Sequence, residues 1–100
     1  MKRAAFHPEA MDELVGAEAF YEGRVPGLGQ RSAAEVERAI ARICDHPRAG
    51  RQVARGLRRQ VVSGFQYAVI YRWAESGVRI RGGAHQHRRP GYWLWRSREP

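Results

Sequence analysis

One hundred residues make a single domain, 1–100, too small to hold a large cofactor beside a separate substrate domain. An apolar content of 43%, with 10% aromatic residues, is enough for a compact core and excludes a disordered tail. Eighteen basic residues against ten acidic ones give a net charge of +8, which suits a polyanion or an acidic protein as partner.

Lys2 to Phe6 is short and fits an edge strand. His7-Pro8-Glu9 reads as a helix start, with Pro8 near the first helical position and Glu9 in the first turn. Met11, Leu14, Ala17 and Tyr21 then recur at helical spacing as one apolar stripe. Gly23 to Gly29, rich in glycine with one proline, predicts a turn between helices. A second helix is expected from Gln30 or Ser32 to Asp45, with Val36, Ile40 and Ile43 as its stripe and His46-Pro47 as its stop. Two helices joined by a short loop predict an antiparallel hairpin.

After Asp45 the period changes. Gly50 to Gln60 is basic, and Val53 and Leu57 are spaced for either kind of element. Phe65 to Trp73 is rich in aromatic and β-branched residues and predicts a strand, with Phe65, Tyr67, Val69, Tyr71 and Trp73 on one face. Ala68, Ile70 and Arg72 take the other. Glu75-Ser76-Gly77 is a hairpin turn, and Val78 to Arg81 is the next strand. The expected class is therefore α+β: an N-terminal strand, a helical hairpin, then a C-terminal antiparallel sheet packed against the helices. Its other face should stay partly open and carry many of the arginines. From Arg48 onward the only acids are Glu75 and Glu99, which favours one basic face.

Cys44 is the only cysteine, so no disulfide forms within the chain, and its place beside Ile40 and Ile43 reads as a small buried hydrophobe. No leader-like segment opens the sequence and no apolar run approaches a membrane span. No membrane partner is expected, and a cytoplasmic location is. There is no glycine-rich phosphate loop or nucleotide fingerprint, and no cofactor is expected.

Chemistry concentrates in two places. The closing run, Ala84 to Trp93, packs His85, His87, Arg88, Arg89, Tyr92 and Trp93 into ten residues. His85 and His87 would share a face of a strand, but a zinc site needs three or four ligands, and Cys44, His7 and His46 lie far off in sequence. No metal is expected. Arg51, Arg55, Arg58 and Arg59 form the second cluster, with the permanently charged forks that phosphate contacts require. If RNA is cut here without metal, histidine suits the base that activates the ribose hydroxyl, arginine the cation that stabilises the phosphorane, and histidine or tyrosine the acid. On that reading the catalytic candidates are Arg58, Arg59, Arg81, His85, His87 and Tyr92. Arg51, Arg55, Arg88, Arg89 and Trp93 would bind the target or a nucleic acid.

The sequence resembles the RelE/ParE superfamily of toxins from bacterial type II toxin-antitoxin modules, closest to its ParE-like or plasmid-stabilisation branch. The residues that carry the resemblance are Phe6-His7-Pro8-Glu9-Ala10, Glu13-Leu14, Tyr21-Glu22, Pro26-Gly27-Leu28-Gly29, Glu35-Val36, Ala39-Ile40 and His46-Pro47. They continue with Gly56-x-Arg58-Arg59, Phe65-x-Tyr67-x-Val69-Ile70-Tyr71 and His85-x-His87-Arg88-Arg89-Pro90-Gly91-Tyr92-Trp93. Each piece alone is unspecific; the ordered set spans nearly the whole chain.

The resemblance implies the same strand, helical hairpin and sheet. It implies a cognate antitoxin, ParD- or RelB-like, whose acidic or amphipathic C-terminal segment wraps the toxin in a hetero-oligomer. It leaves the activity divided. ParE-like members are associated with poisoning DNA gyrase, whereas RelE-like members cut mRNA on the ribosome. For the nuclease branch, Arg58 or Arg59 matches the central sheet arginine and His85, His87 and Tyr92 loosely match the terminal element. That branch's lysine-rich stretch has no counterpart, since Gly50 to Gln60 contains only arginines as basic residues. The resemblance thus favours a non-enzymatic gyrase inhibitor over an endoribonuclease, with a degenerate toxin that retains only antitoxin binding as a third reading. Two departures stand out. Ser32 and Ala33 replace a family aromatic and a large aliphatic, which would thin the packing or open a pocket for the antitoxin. Gln66 replaces a family proline and restores a backbone donor.

Overall fold

The computed structural model describes residues 3–85. Two helices lie against a five-stranded sheet of order β1-β5-β4-β3-β2. The elements are β1 (Ala4–Phe6), α1 (Pro8–Arg24), α2 (Leu28–Asp45), β2 (Arg51–Ala54), β3 (Leu57–Val61), β4 (Tyr67–Ala74) and β5 (Gly77–His85). β1 is an edge strand, as its length suggests, and pairs parallel to β5. All other pairings are antiparallel.

Helix α1 starts as the sequence predicts. His7 is its N-cap, and its Nδ1 accepts from the Glu9 N–H at 3.1 Å. Helix α2 begins earlier than expected, at Leu28, after only Val25, Pro26 and Gly27. Gly27 caps it with φ +88°, a left-handed conformation that glycine adopts without strain. The free N–H groups of Gly27 and Gly29 are taken by the Glu22 carboxylate, at 3.0 to 3.2 Å. A carboxylate from the preceding helix thus supplies the missing cap, which lets the glycine-rich stretch be helical.

Gly50 to Gln60 resolves into the β2–β3 hairpin, turning at Arg55-Gly56. Gly56 stands at φ +73°. β4 starts at Tyr67 rather than at Phe65, which instead stacks edge-on against Tyr21, ring centroids 4.8 Å apart. β5 runs beyond the expected Arg81, because Gly82, Gly83 and Ala84 continue the ladder against Ile70, Val69 and Ala68. A Cβ on Gly83 would fall on the Tyr67 hydroxyl, so only glycine admits that tyrosine between sheet and helix.

Tyr67, Val69 and Tyr71 of β4 meet Val78 and Ile80 of β5 and Ala10, Ala17, Ala39 and Ile43 of the helices in one core. Met11, expected in the α1 stripe, is 44% exposed, and Ala10 takes the deepest place instead. The far face of the sheet is less open than expected: Ala68 and Ile70 on it are buried, and Leu57, Ala54 and Ala84 pack around Ile70.

Candidate functional site

Strand register sorts the arginines. Arg51 pairs with Arg59, Arg59 with Ile70, and Ile70 with Gly82, so one row crosses β2, β3, β4 and β5 on the face away from the helices. Arg81 is the extra residue of a bulge beside that row, because Ile70 faces Gly82 while Tyr71 faces Ile80. Arg72 pairs with Arg79 on the same face. Strands lie about 4.8 Å apart, so Arg59 sits beside Arg51 and two strands from Arg81. The register positions of that face hold Arg51, Arg59, Arg72 and Arg79 with apolar residues between them, and no carboxylate among the described residues; Arg81 lies in the bulge beside them. Acidic residues instead gather on the helices.

Arg58 does not join this row. It pairs with Tyr71 on the helix-side face, and its guanidinium donates to the Gly50 carbonyl at 2.8 Å and the Arg48 carbonyl at 3.2 Å. The adjacent arginines Arg58 and Arg59, interchangeable in sequence, therefore hold different places: one fastens a loop, the other stands on the basic face. Arg55 lies exposed in the β2–β3 turn. His85 ends β5 opposite Tyr67. His87, Arg88, Arg89, Tyr92 and Trp93 fall outside the described residues.

The other side of the molecule carries a recess that sequence reasoning reached only through Ser32 and Ala33. It is an apolar groove of about 230 Å³ between the two helices and the nearby ends of β3 and β4. Leu14 and Val15 line it from α1, Ala33, Val36 and Ile40 from α2, and Phe65 from the sheet side. Ser32 is buried, and its hydroxyl donates to the Gly29 carbonyl at 2.8 Å, so its polar atom is satisfied inside the helix. The short side chains at 32 and 33 leave the space that larger ones would fill. Met11 and Val15, 44% and 59% exposed, form an apolar rim. Past Tyr21 and Phe65 the recess continues into a wider hollow at the hairpin end, bordered by Phe20, Arg24, Val25, Leu28 and Arg31. The Arg24 guanidinium lies 4.7 Å from the Phe20 ring centroid. Met11, Val15, Phe20 and Val25, all exposed, border these adjoining recesses along the hairpin, a pattern that marks protein contact surfaces.

Burial pushes the Cys44 thiol up from its ordinary range, so it stays a neutral core group. No described helix is long and apolar enough to cross a membrane. Among the described residues no three His, Cys, Asp or Glu side chains cluster as metal ligands would.

Comparison with solved structures finds the same architecture in a chain of the chromosomal ParDE TA system from P. aeruginosa. The two superpose with a TM-score of 0.73 at 13% identity, over 85% of this chain and 96% of that one. No protein-family model and no curated protein matches the sequence. The likeness defines the fold: an N-terminal strand, helical hairpin and C-terminal sheet of RelE/ParE-like topology.

Proposed function

We propose that this chain is the toxin of a type II toxin-antitoxin pair, acting in the cytoplasm. It inhibits growth by binding DNA gyrase through its basic sheet face and is neutralised by a cognate antitoxin. The observation that carries this reading is the apolar groove on the helical hairpin, set in a RelE/ParE-like fold. An amphipathic helix of the antitoxin fills it. The groove offers side chains rather than a free strand edge, and a helix brings its own backbone bonds satisfied.

Division of labour follows from placement. The groove opens on the helix side and the arginine row lies on the far side of the sheet. A segment confined to the groove leaves the arginines uncovered, so a neutralising antitoxin passes round an edge of the sheet as well. The +8 charge speeds encounter with acidic stretches of such a partner.

Ribosome-dependent mRNA cleavage is the second reading, favoured by one observation. β5 ends at His85, still in the ladder opposite Tyr67, and the same strand bears Arg81, two strands from Arg59. The test is a pair of assays on the purified chain. Inhibited gyrase supercoiling with intact translated mRNA supports the first reading. Cleavage of translated mRNA, lost in Arg59→Ala or His87→Ala, replaces it with the second.

A further inference from the structure

The groove is bounded by charges of opposite sign, arranged in matching pairs. Glu18 on α1 and Glu37 on α2 border the enclosed part. Arg24 on α1 and Arg31 on α2 border the hollow at the hairpin end. Glu18 and Arg24 are six residues apart, and so are Arg31 and Glu37. In an antiparallel hairpin this sets the two acids at one level and the two arginines at another. At 1.5 Å rise per residue the levels are separated by about 9 Å. All four side chains are exposed, and neither Glu18 nor Glu37 forms an ion pair among the described residues.

Other carboxylates near the groove are committed. Glu22 is held by the N–H groups of Gly27 and Gly29, and Glu35 is paired with Arg38. The acid pair and the arginine pair are therefore the charges left to meet an occupant. Between them the lining is apolar, with Tyr21 and Phe65 shared by both parts.

We propose that this groove selects a bipolar amphipathic helix: an apolar stripe flanked by a Lys or Arg at one level and an Asp or Glu about two turns away. The base lies over Glu18 and Glu37, and the acid over Arg24 and Arg31. A uniformly acidic helix binds more weakly, because it sets carboxylates against Glu18 and Glu37. The proposal rests on the antitoxin reading for its natural occupant. It narrows the acidic or amphipathic segment expected from sequence to one of mixed charge at the groove.

The test uses three labelled amphipathic peptides of about fifteen residues, long enough to follow α1 from Met11 to its cap at Val25. All share one leucine stripe and differ only at two flanking positions seven residues apart, as Lys/Glu, Lys/Lys or Glu/Glu. Comparing mixed with uniform charge makes the result independent of the direction in which a peptide lies. The wild-type chain is expected to bind the Lys/Glu peptide about tenfold more tightly than either uniform peptide at low salt, with the preference shrinking as salt rises. In Arg24→Glu/Arg31→Glu the Lys/Lys peptide becomes the best ligand. In Glu18→Lys/Glu37→Lys the Glu/Glu peptide does, and circular dichroism checks that each variant is folded. Equal affinities for the three peptides on the wild-type chain, or no binding by any of them, overturn the proposal. The wild-type ranking stands as a test even if a variant fails to fold. Toxin activity is measured separately, by growth after induction, so failure of the toxin reading leaves the peptide result to judge the groove.

Discussion

Tyr71 fastens the loop after α2 to the middle of the sheet. Its hydroxyl donates to the Pro47 carbonyl at 2.7 Å and accepts from the Gly50 N–H at 3.1 Å. Gly50 has no room for a Cβ, which would meet that same hydroxyl and the Arg59 carbonyl. Tyr71→Phe leaves both loop groups short of a partner and should cost about 1–3 kcal/mol, read as a lower Tm. Burial raises the phenol above its ordinary value of 10.0, against the opposing pull of the Gly50 hydrogen bond and Arg58. A raised folded-state value means that the folded chain holds the proton more tightly. The associated stability is full below pH 10 and falls as pH rises through the higher folded value. Denaturant melts across pH 9 to 11.5 should therefore show wild type losing more stability than Tyr71→Phe; parallel loss in the two chains contradicts this assignment. Glu22 offers a second test at this scale. Its Ala variant strands two N–H groups at the start of α2 and should lower stability by about 1 kcal/mol, seen in thermal unfolding.

At the scale of elements, the hairpin was legible where periodicity and capping agreed. His7-Pro8-Glu9 marked the start of α1 and His46-Pro47 the end of α2. The start of α2 was not, because its cap lies in the preceding helix at Glu22, outside any local pattern. The length of β5 is hidden for a related reason: Gly82 and Gly83 look like a strand end, and only the approach of Tyr67 shows why glycine is needed at 83 within the strand. The groove was half legible. Ser32 and Ala33 signalled missing volume, but Phe6, Val15 and Val62 reach it through tertiary packing that spacing does not encode. Ala33→Phe fills that space with an aromatic side chain. If the proposed antitoxin occupies the groove, the variant is expected to keep its toxicity while binding the antitoxin at least tenfold more weakly, measured on the purified pair. Unchanged affinity would place the antitoxin elsewhere. Gly29→Ala probes the hairpin contact itself. A Cβ there would stand 2.7 Å from the Glu18 carbonyl and 2.8 Å from the Glu22 Cβ. A loss of about 1–3 kcal/mol is expected as the helices are pushed apart.

At the scale of the whole fold, charge among the described residues is unevenly shared between the two sides of the sheet. Acids sit on the helices beside an apolar groove, and arginines form a row on the opposite face. The sequence showed this polarity as an acid-poor second half, yet not which arginines share a surface. Register decided that, separating Arg59 from Arg58. On the proposed toxin reading, this division gives the two partners separate surfaces, one for neutralisation and one for attack. The most direct measurement is growth after induced expression of the chain alone in a bacterial host, compared with Arg51→Glu/Arg59→Glu. Wild type is expected to arrest growth with gyrase-DNA complexes accumulating, and the double variant, folded and equally expressed, is not. Undiminished growth with the wild-type chain, or arrest that the double variant retains in full, would contradict this expectation.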